Sequence, residues 1–400
     1  MNCFTTPWGD LDLTRFPEDP RDRLRAWDAA DEYLLRHLAG IDDAPPVDLS
    51  GTVVVLGDRW GALATALATA PAGAVPSGPA QISPVQISDS YLGQRATTAN
   101  LRRNGAAPDA VRLLSTRDEV PERIDVLLIR VPKSLALLED QLHRLAPAVH
   151  PGTVVVGTGM VTEIHTSTLK LFERLLGPTR TSLAARKARL IFCTPDQGGE
   201  EGTRPTNPWP LSYPLPSGIG AMSGRTVTNH AGTFCAERLD IGTRFFLQHL
   251  PQGRGPERVV DLGCGNGVVG TAAALANPAA ELIFVDESHQ ALASAEATFR
   301  ANTGLGAVAD FRVGDGLAGV PAGSVDLVLN NPPFHSHQAT TDATAWRMFT
   351  GARDALRQGG ELWVVGNRHL GYHLKLRRLF GNCELVSGNP KFVVLRAVRS

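Results

Sequence analysis

Asn331-Pro332-Pro333-Phe334 follows an apolar run with an acid near its start, Val325-Asp326-Leu327-Val328-Leu329-Asn330. These residue types suit one demanding kind of chemistry, in which an amino group whose lone pair is conjugated into an aromatic ring is made nucleophilic. The side-chain carbonyl of Asn331 and the backbone carbonyl of Pro332 can both accept N–H bonds from one amine. That draws the nitrogen toward a tetrahedral shape with its lone pair free, and Phe334 can stack on the ring. The two prolines fix φ and carry no N–H, so the acceptors are preorganised, as a positioning mechanism requires. The plain alternative is a Pro-rich turn that closes a strand.

A second motif lies upstream. Val259-Val260-Asp261-Leu262 reads as a buried strand, Gly263-Cys264-Gly265-Asn266-Gly267 as a turn, and Val268 to Ala276 as a helix. Gly265 to Gly270 satisfies G-x-G-x-x-G, which leaves a dinucleotide site formally open. Asp261 directly before the G-x-G-x-G turn favours S-adenosylmethionine instead, with the glycines admitting its methionine and ribose part. Asp286, at the end of the next strand, can accept from both ribose hydroxyls, and Asp315 after the third strand from the adenine amino group. Each acid can equally cap the helix that follows it.

The elements that position these motifs form an α/β pattern. The chain has 400 residues, 43% hydrophobic, which predicts two domains with full cores. A net charge of −1 gives no global argument for nucleic acid, so any basic surface is local. Five scattered cysteines without a CxxC pair suit a reducing cytoplasm. No export signal and no membrane-length apolar run is read. Strands and helices alternate in both halves, which predicts doubly wound sheets. A helix is expected over Arg21 to Leu38, and Glu384-Leu385-Val386 with Lys391 to Val398 reads as an antiparallel edge pair. Proline and glycine crowd residues 194–224, read as a linker between a 1–193 domain and a 225–400 catalytic domain.

The halves read as a duplication. Ile124-Asp125-Val126-Leu127-Leu128 matches Val325-Asp326-Leu327-Val328-Leu329 201 residues later, which sets Arg130-Val131-Pro132-Lys133 where Asn331-Pro332-Pro333-Phe334 stands. Gly57-Asp58-Arg59-Trp60-Gly61 stands where the glycine turn stands, with an arginine for the middle glycine. Val85-Gln86-Ile87-Ser88-Asp89 reads as a strand ending in an acid. The first half is therefore expected to keep the fold and lack the cofactor site.

The pairing of Asp261-Leu262-Gly263-Cys264-Gly265-Asn266-Gly267 with Asn331-Pro332-Pro333-Phe334 resembles the class I (Rossmann-like) methyltransferases of exocyclic amines. The degenerate first half, Leu239 to Phe246, Val285-Asp286-Glu287-Ser288, Gly366 to Leu370 and Phe380-Gly381-Asn382-Cys383 resemble, more narrowly, the bacterial ribosomal RNA guanine-N2 methyltransferases, nearer the large-subunit (23S) than the small-subunit (16S) kind. The resemblance implies two tandem methyltransferase folds, the second catalytic. It implies that Phe234, Asp240 and Gly242 help enclose the cofactor, that S-adenosylmethionine is used without a metal, and that the partner is ribosomal RNA, with no membrane and a monomeric, cytoplasmic chain. Basic residues gather at Lys170, Arg174, Arg180, Arg186, Lys187 and Arg189 and at Arg368, Lys375, Arg377 and Arg378. They suit phosphates, although such runs are commonly solvated faces. His335 and His337 can touch the base or simply face solvent. His369 and His373 share a helix face but lack an acidic or cysteine partner for a metal. An adenine-N6 or protein-glutamine methyltransferase and a silent RNA-binding scaffold stay open as alternatives.

Overall fold

The computed structural model describes residues 2–400 except 21, 42–44, 72, 74–80, 197–204 and 334–337, and the backbone but not the side chains of 338–342. The chain divides into two compact units, Met1–Pro208 and Trp209–Ser400.

The first unit runs β1 (Cys3–Thr6), β2 (Gly9–Asp12), α1 (Ala29–Leu38), β3 (Val53–Leu56), α2 (Ala62–Ala68), β4 (Val85–Ser88), α3 (Tyr91–Arg103), β5 (Arg112–Ser115), β6 (Ile124–Arg130), α4 (Leu135–Leu145), β7 (Val149–Met160), α5 (Thr166–Leu175), β8 (Thr179–Thr181) and β9 (Ala188–Cys193). The second runs β10 (Leu211–Pro214), β11 (Thr226–Asn229), α6 (Ile241–Leu247), β12 (Arg258–Leu262), α7 (Val268–Ala276), β13 (Glu281–Asp286), α8 (His289–Asn302), β14 (Ala309–Val313), β15 (Val325–Asn330), α9 (Gln338–Ala355), β16 (Leu356–Asn367), α10 (Tyr372–Phe380), β17 (Glu384–Gly388) and β18 (Phe392–Val398).

Each unit holds a seven-stranded sheet, ordered β5-β4-β3-β6-β7-β9-β8 and β14-β13-β12-β15-β16-β18-β17. The first five strands of each pair in parallel, and the last two pairings are antiparallel, so that only β9 and β18 run against the rest. Parallel strands need apolar residues on both faces, and the runs Val53–Leu56 and Val259–Leu262 are buried throughout. The register repeats too. Ile124 pairs with Val149 before a shift that brings Val126 opposite Val154, and Val325 pairs with Leu356 before the same shift brings Leu327 opposite Glu361. A shared irregularity at matched positions supports duplication more strongly than a shared strand order does.

Three expectations need correction. The helix predicted from Arg21 starts at Ala29, because the carboxylate of Asp28 caps it, accepting from the Ala30 N–H at 2.8 Å. Residues 194–224 are not a linker throughout. Strand β10 pairs with β11, and Leu215, Ile219 and Met222 are buried in the second unit, whose boundary falls at Trp209. Proline and glycine there mark tight turns, and Tyr213 packs against the second unit's core. Finally, strand β4 ends on Ser88 rather than on Asp89: Ile87 accepts from Gly57 N–H as Val285 accepts from Gly263 N–H, which sets Ser88 level with Asp286.

Candidate active site

The C-terminal edge of β12, β13 and β15 gathers the second unit's motifs, where parallel α/β sheets bind ligands. Three glycines of the turn have positive φ, Gly263 at 70°, Gly265 at 54° and Gly267 at 72°. Their surroundings differ. A Cβ on Gly267 would lie 2.6 Å from the Ala295 Cα, so this glycine lets α7 approach α8, whereas a Cβ on Gly265 meets nothing. The open space beside Gly265 is what a ligand laid against the backbone needs.

Asp286 binds this turn and the next helix, one oxygen accepting from Gly265 N–H at 2.9 Å and the other from Ser288 N–H at 3.0 Å. Asp261 faces inward instead. It is 3% exposed and accepts from the Gly270 N–H at 2.7 Å. Burial pushes its carboxyl up to about 8, with Asp286 adding to the rise and the Gly270 bond opposing it. It therefore supports the turn from below. Asn266 is also turned inward, its amide donating to the Asn229 carbonyl oxygen at 3.0 Å. Asp315 pairs with Arg347 at 2.6 Å. Phe234 is 51% exposed, in a segment docked by Thr233 on Ser294 of α8 at 2.9 Å. Gly242 is buried in α6, where an added Cβ would come within 3.1 Å of the Phe392 ring.

Pro332 is buried and Pro333 exposed. Phe334, His335 and His337 lie outside the described residues. Asn330 is fully buried and ties β15 to β12, donating to the Leu262 carbonyl at 2.7 Å. Asn331 donates through Nδ2 to the Thr243 hydroxyl at 2.9 Å, and its carbonyl oxygen, also buried, finds no hydrogen-bond donor among the described residues. The Asn330 carbonyl oxygen is in the same state; what sets Asn331 apart is its place just past the end of β15, level with the glycine turn that follows Leu262. Thr243, which the sequence did not single out, was signalled by Asp240 three residues before it, the spacing of a helix cap. Asp240 indeed caps α6, accepting from Thr243 N–H at 2.8 Å.

The basic residues are less concentrated than their sequence clustering suggests. Arg174 pairs with Glu139 and Arg186 with Glu32. Arg180 lies over the Phe192 ring, Lys375 over Tyr372 and Arg378 over Trp346. Arg368 donates to the Asn389 carbonyl at 2.9 Å. Lys170, Lys187 and Arg377 are exposed, and Arg189 is half-buried. Among the described residues, no three His, Cys, Asp or Glu side chains gather to hold a metal, and no helix is long and apolar enough to cross a membrane.

Comparison with known proteins follows the same division. The family described as RLMG N-terminal domain matches residues 1–197, and the methyltransferase small domain matches residues 224–396. Of solved structures, the T. thermophilus 16S rRNA N2 methyltransferase (RsmC) in complex with AdoMet and guanosine has the same fold, with a TM-score of 0.71 at 20% identity over 100% of this chain and 97% of that one. The ribosomal RNA large subunit methyltransferase G of Stutzerimonas stutzeri is 47% identical over 100% of both chains. That of Streptomyces avermitilis is 72% identical over 99% of this chain and 98% of its own length. On end-to-end identity of this order, the chain belongs to the ribosomal RNA large subunit methyltransferase G family.

Proposed function

We propose that the second unit methylates the exocyclic N2 amine of one guanine in 23S ribosomal RNA, using S-adenosylmethionine, while the first unit holds surrounding RNA. The observation that carries this reading is the Asn331 carbonyl oxygen, buried at the C-terminal edge of the parallel strands without a donor among the described residues. An amine supplies the missing donor. The large subunit as target is supported by the relatives' names, and guanine N2 by the T. thermophilus enzyme's title and ligands.

S-adenosylmethionine brings a methyl group activated on a sulfonium sulfur. Gly263, Gly265, Gly267 and Asp286 would hold it, with Asp240, Gly242 and Phe234 enclosing it; Asp261 and Asn266 keep the turn in shape. Asp315 would exchange Arg347 for the adenine amine. The chain's own contribution is positioning, in which Asn331 and the Pro332 carbonyl orient the amine's lone pair and Phe334 stacks on the base. The proton leaves for water after nitrogen has gained positive charge, so no strong base is needed. A paired guanine hides N2 in the minor groove, so the target must be unpaired or flipped out. Lys170, Lys187 and Arg377, exposed and cationic, are the first candidates for phosphate contact.

The test compares nucleosides from purified 23S and 16S RNA of cells with and without the gene. One N2-methylguanosine should vanish from 23S RNA and return with the wild-type gene. Unchanged 23S RNA, or a loss from 16S RNA instead, would sink the assignment.

A further inference from the structure

We propose that Asp240 and Thr243 form a polarity relay that locks the Asn331 amide with its oxygen, not its nitrogen, toward the substrate amine. The inference rests on reading Asn331 as the amine acceptor. An asparagine amide is nearly symmetric in shape, and a half-turn exchanges acceptor for donor. Flipped, Asn331 would point N–H at N–H and the site would repel its substrate. The prolines that follow restrain the backbone, not this rotation.

The restraint comes from α6. A carboxylate only accepts, and Asp240 Oδ2 lies 3.2 Å from the Thr243 hydroxyl and 2.8 Å from the Thr243 N–H. The single hydroxyl proton therefore goes to Asp240. The hydroxyl oxygen is left as an acceptor, and it accepts from Asn331 Nδ2 at 2.9 Å. A flipped amide would set oxygen against an oxygen with no proton to give. Thr243 is 7% exposed, which leaves little water to repair that mismatch.

The first unit holds an internal counter-example. Asp28 caps α1, Asp31 stands three residues on, and Arg130 ends the matching strand. There the strand-end group is a cation 3.3 Å from the Asp31 carboxylate. A guanidinium has no acceptor face to orient, so a carboxylate suffices where the second unit has a hydroxyl.

The relay makes Thr243 a positioning residue, tested in the full-length protein with T243V and T243S. T243V keeps the shape and the capped N–H but removes the hydroxyl. It should lower the single-turnover methylation rate about 100-fold, with S-adenosylmethionine affinity and RNA KM held within about threefold. T243S should restore most of the rate. Independently of any substrate, the Asn331 side-chain NH2 resonances, assigned by their loss in N331A, should move in T243V and stay in place in T243S. A near-wild-type T243V rate, a T243S as slow as T243V, parallel loss of cofactor affinity or an unmoved amide resonance overturns the relay. If wild-type protein itself fails to methylate guanine N2, the substrate assignment falls, and the amide resonances still decide the relay.

Discussion

The two units share a sheet order and a register, yet at each corresponding position the first replaces a ligand-facing group with one that satisfies itself. Gly265, with its left-handed φ, becomes Arg59, which has no positive φ. Asp286 becomes Ser88, and Asn331 becomes Arg130. Arg130 is 1% exposed and is met by Asp28 at 2.6 Å, Glu163 at 2.9 Å and Asp31 at 3.3 Å, while Arg59 joins Glu163 at 2.5 Å and Asp28 at 3.3 Å. Burial would raise Glu163, but Arg130 and Arg59 hold it down to about 2. Burial prevails at Asp31, lifting it to about 6 against the pull of Arg130. A cluster of ion pairs thus fills the edge where the second unit is open. One fold can keep its core after its site is lost, provided the vacated polar edge finds partners.

The supporting acid shows the same economy. Asp261 on strand β12 holds the Gly270 N–H of α7. In the first unit the strand position is Val55, and Asp58 in the turn holds the matching Ala64 N–H at 2.8 Å. The contact survived while the residue that makes it moved three places.

The largest expected effect breaks the first unit's cluster. Arg130→Met leaves Asp31 without a cation and Asp28 and Glu163 with Arg59 alone, and should cost about 3–5 kcal/mol, read by urea denaturation; a loss under about 1 kcal/mol would mean the cluster is dispensable. Asn331→Ala, at the matching position, should instead slow methyl transfer about 10²–10³-fold with stability and cofactor affinity nearly unchanged, checked by radiolabelled transfer alongside calorimetry. Gly61→Ala and Gly267→Ala should destabilise their units alike, by about 1–3 kcal/mol. Each added Cβ comes 2.6 Å from a helix Cα, that of Thr97 or of Ala295. Unequal losses in thermal melts would weaken the equivalence of the two turns.

A separate expectation concerns pH dependence. Burial lifts Asp58 to about 7, with Asp31 adding to the rise, and Asp261 to about 8. The folded state therefore holds protons that the unfolded chain releases near its ordinary carboxylate pKa. This stability is complete below about pH 4 and declines as pH rises, until about 7 for Asp58 and about 8 for Asp261. Asp261→Asn should flatten the decline between those limits, and an unchanged slope would reject the assignment.

The sequence made the duplication legible because buried parallel strands are near-continuous apolar runs, and Ile124 to Leu128 aligns with Val325 to Leu329 without gaps. It made the asparagine legible because Asn-Pro-Pro-Phe is local. The fate of Arg130 was not legible, since Asp28, Asp31 and Glu163 lie far along the chain and meet it only through the sheet edge. Thr243 was missed for a related reason. Its cap spacing from Asp240 is visible in the sequence, but its contact with Asn331 exists only once α6 lies beside the end of β15. Turn-rich residues 211–224 misled because proline and glycine report backbone geometry, whereas burial of Leu215, Ile219 and Met222 depends on what the turn packs against.

The division of labour is tested most directly by titrating the full-length protein with S-adenosylmethionine in a calorimeter. One site per chain is predicted, lost in Gly265→Arg, which writes the first unit's residue into the second unit's turn. Two sites in the wild type, or undiminished binding in Gly265→Arg, would contradict the account.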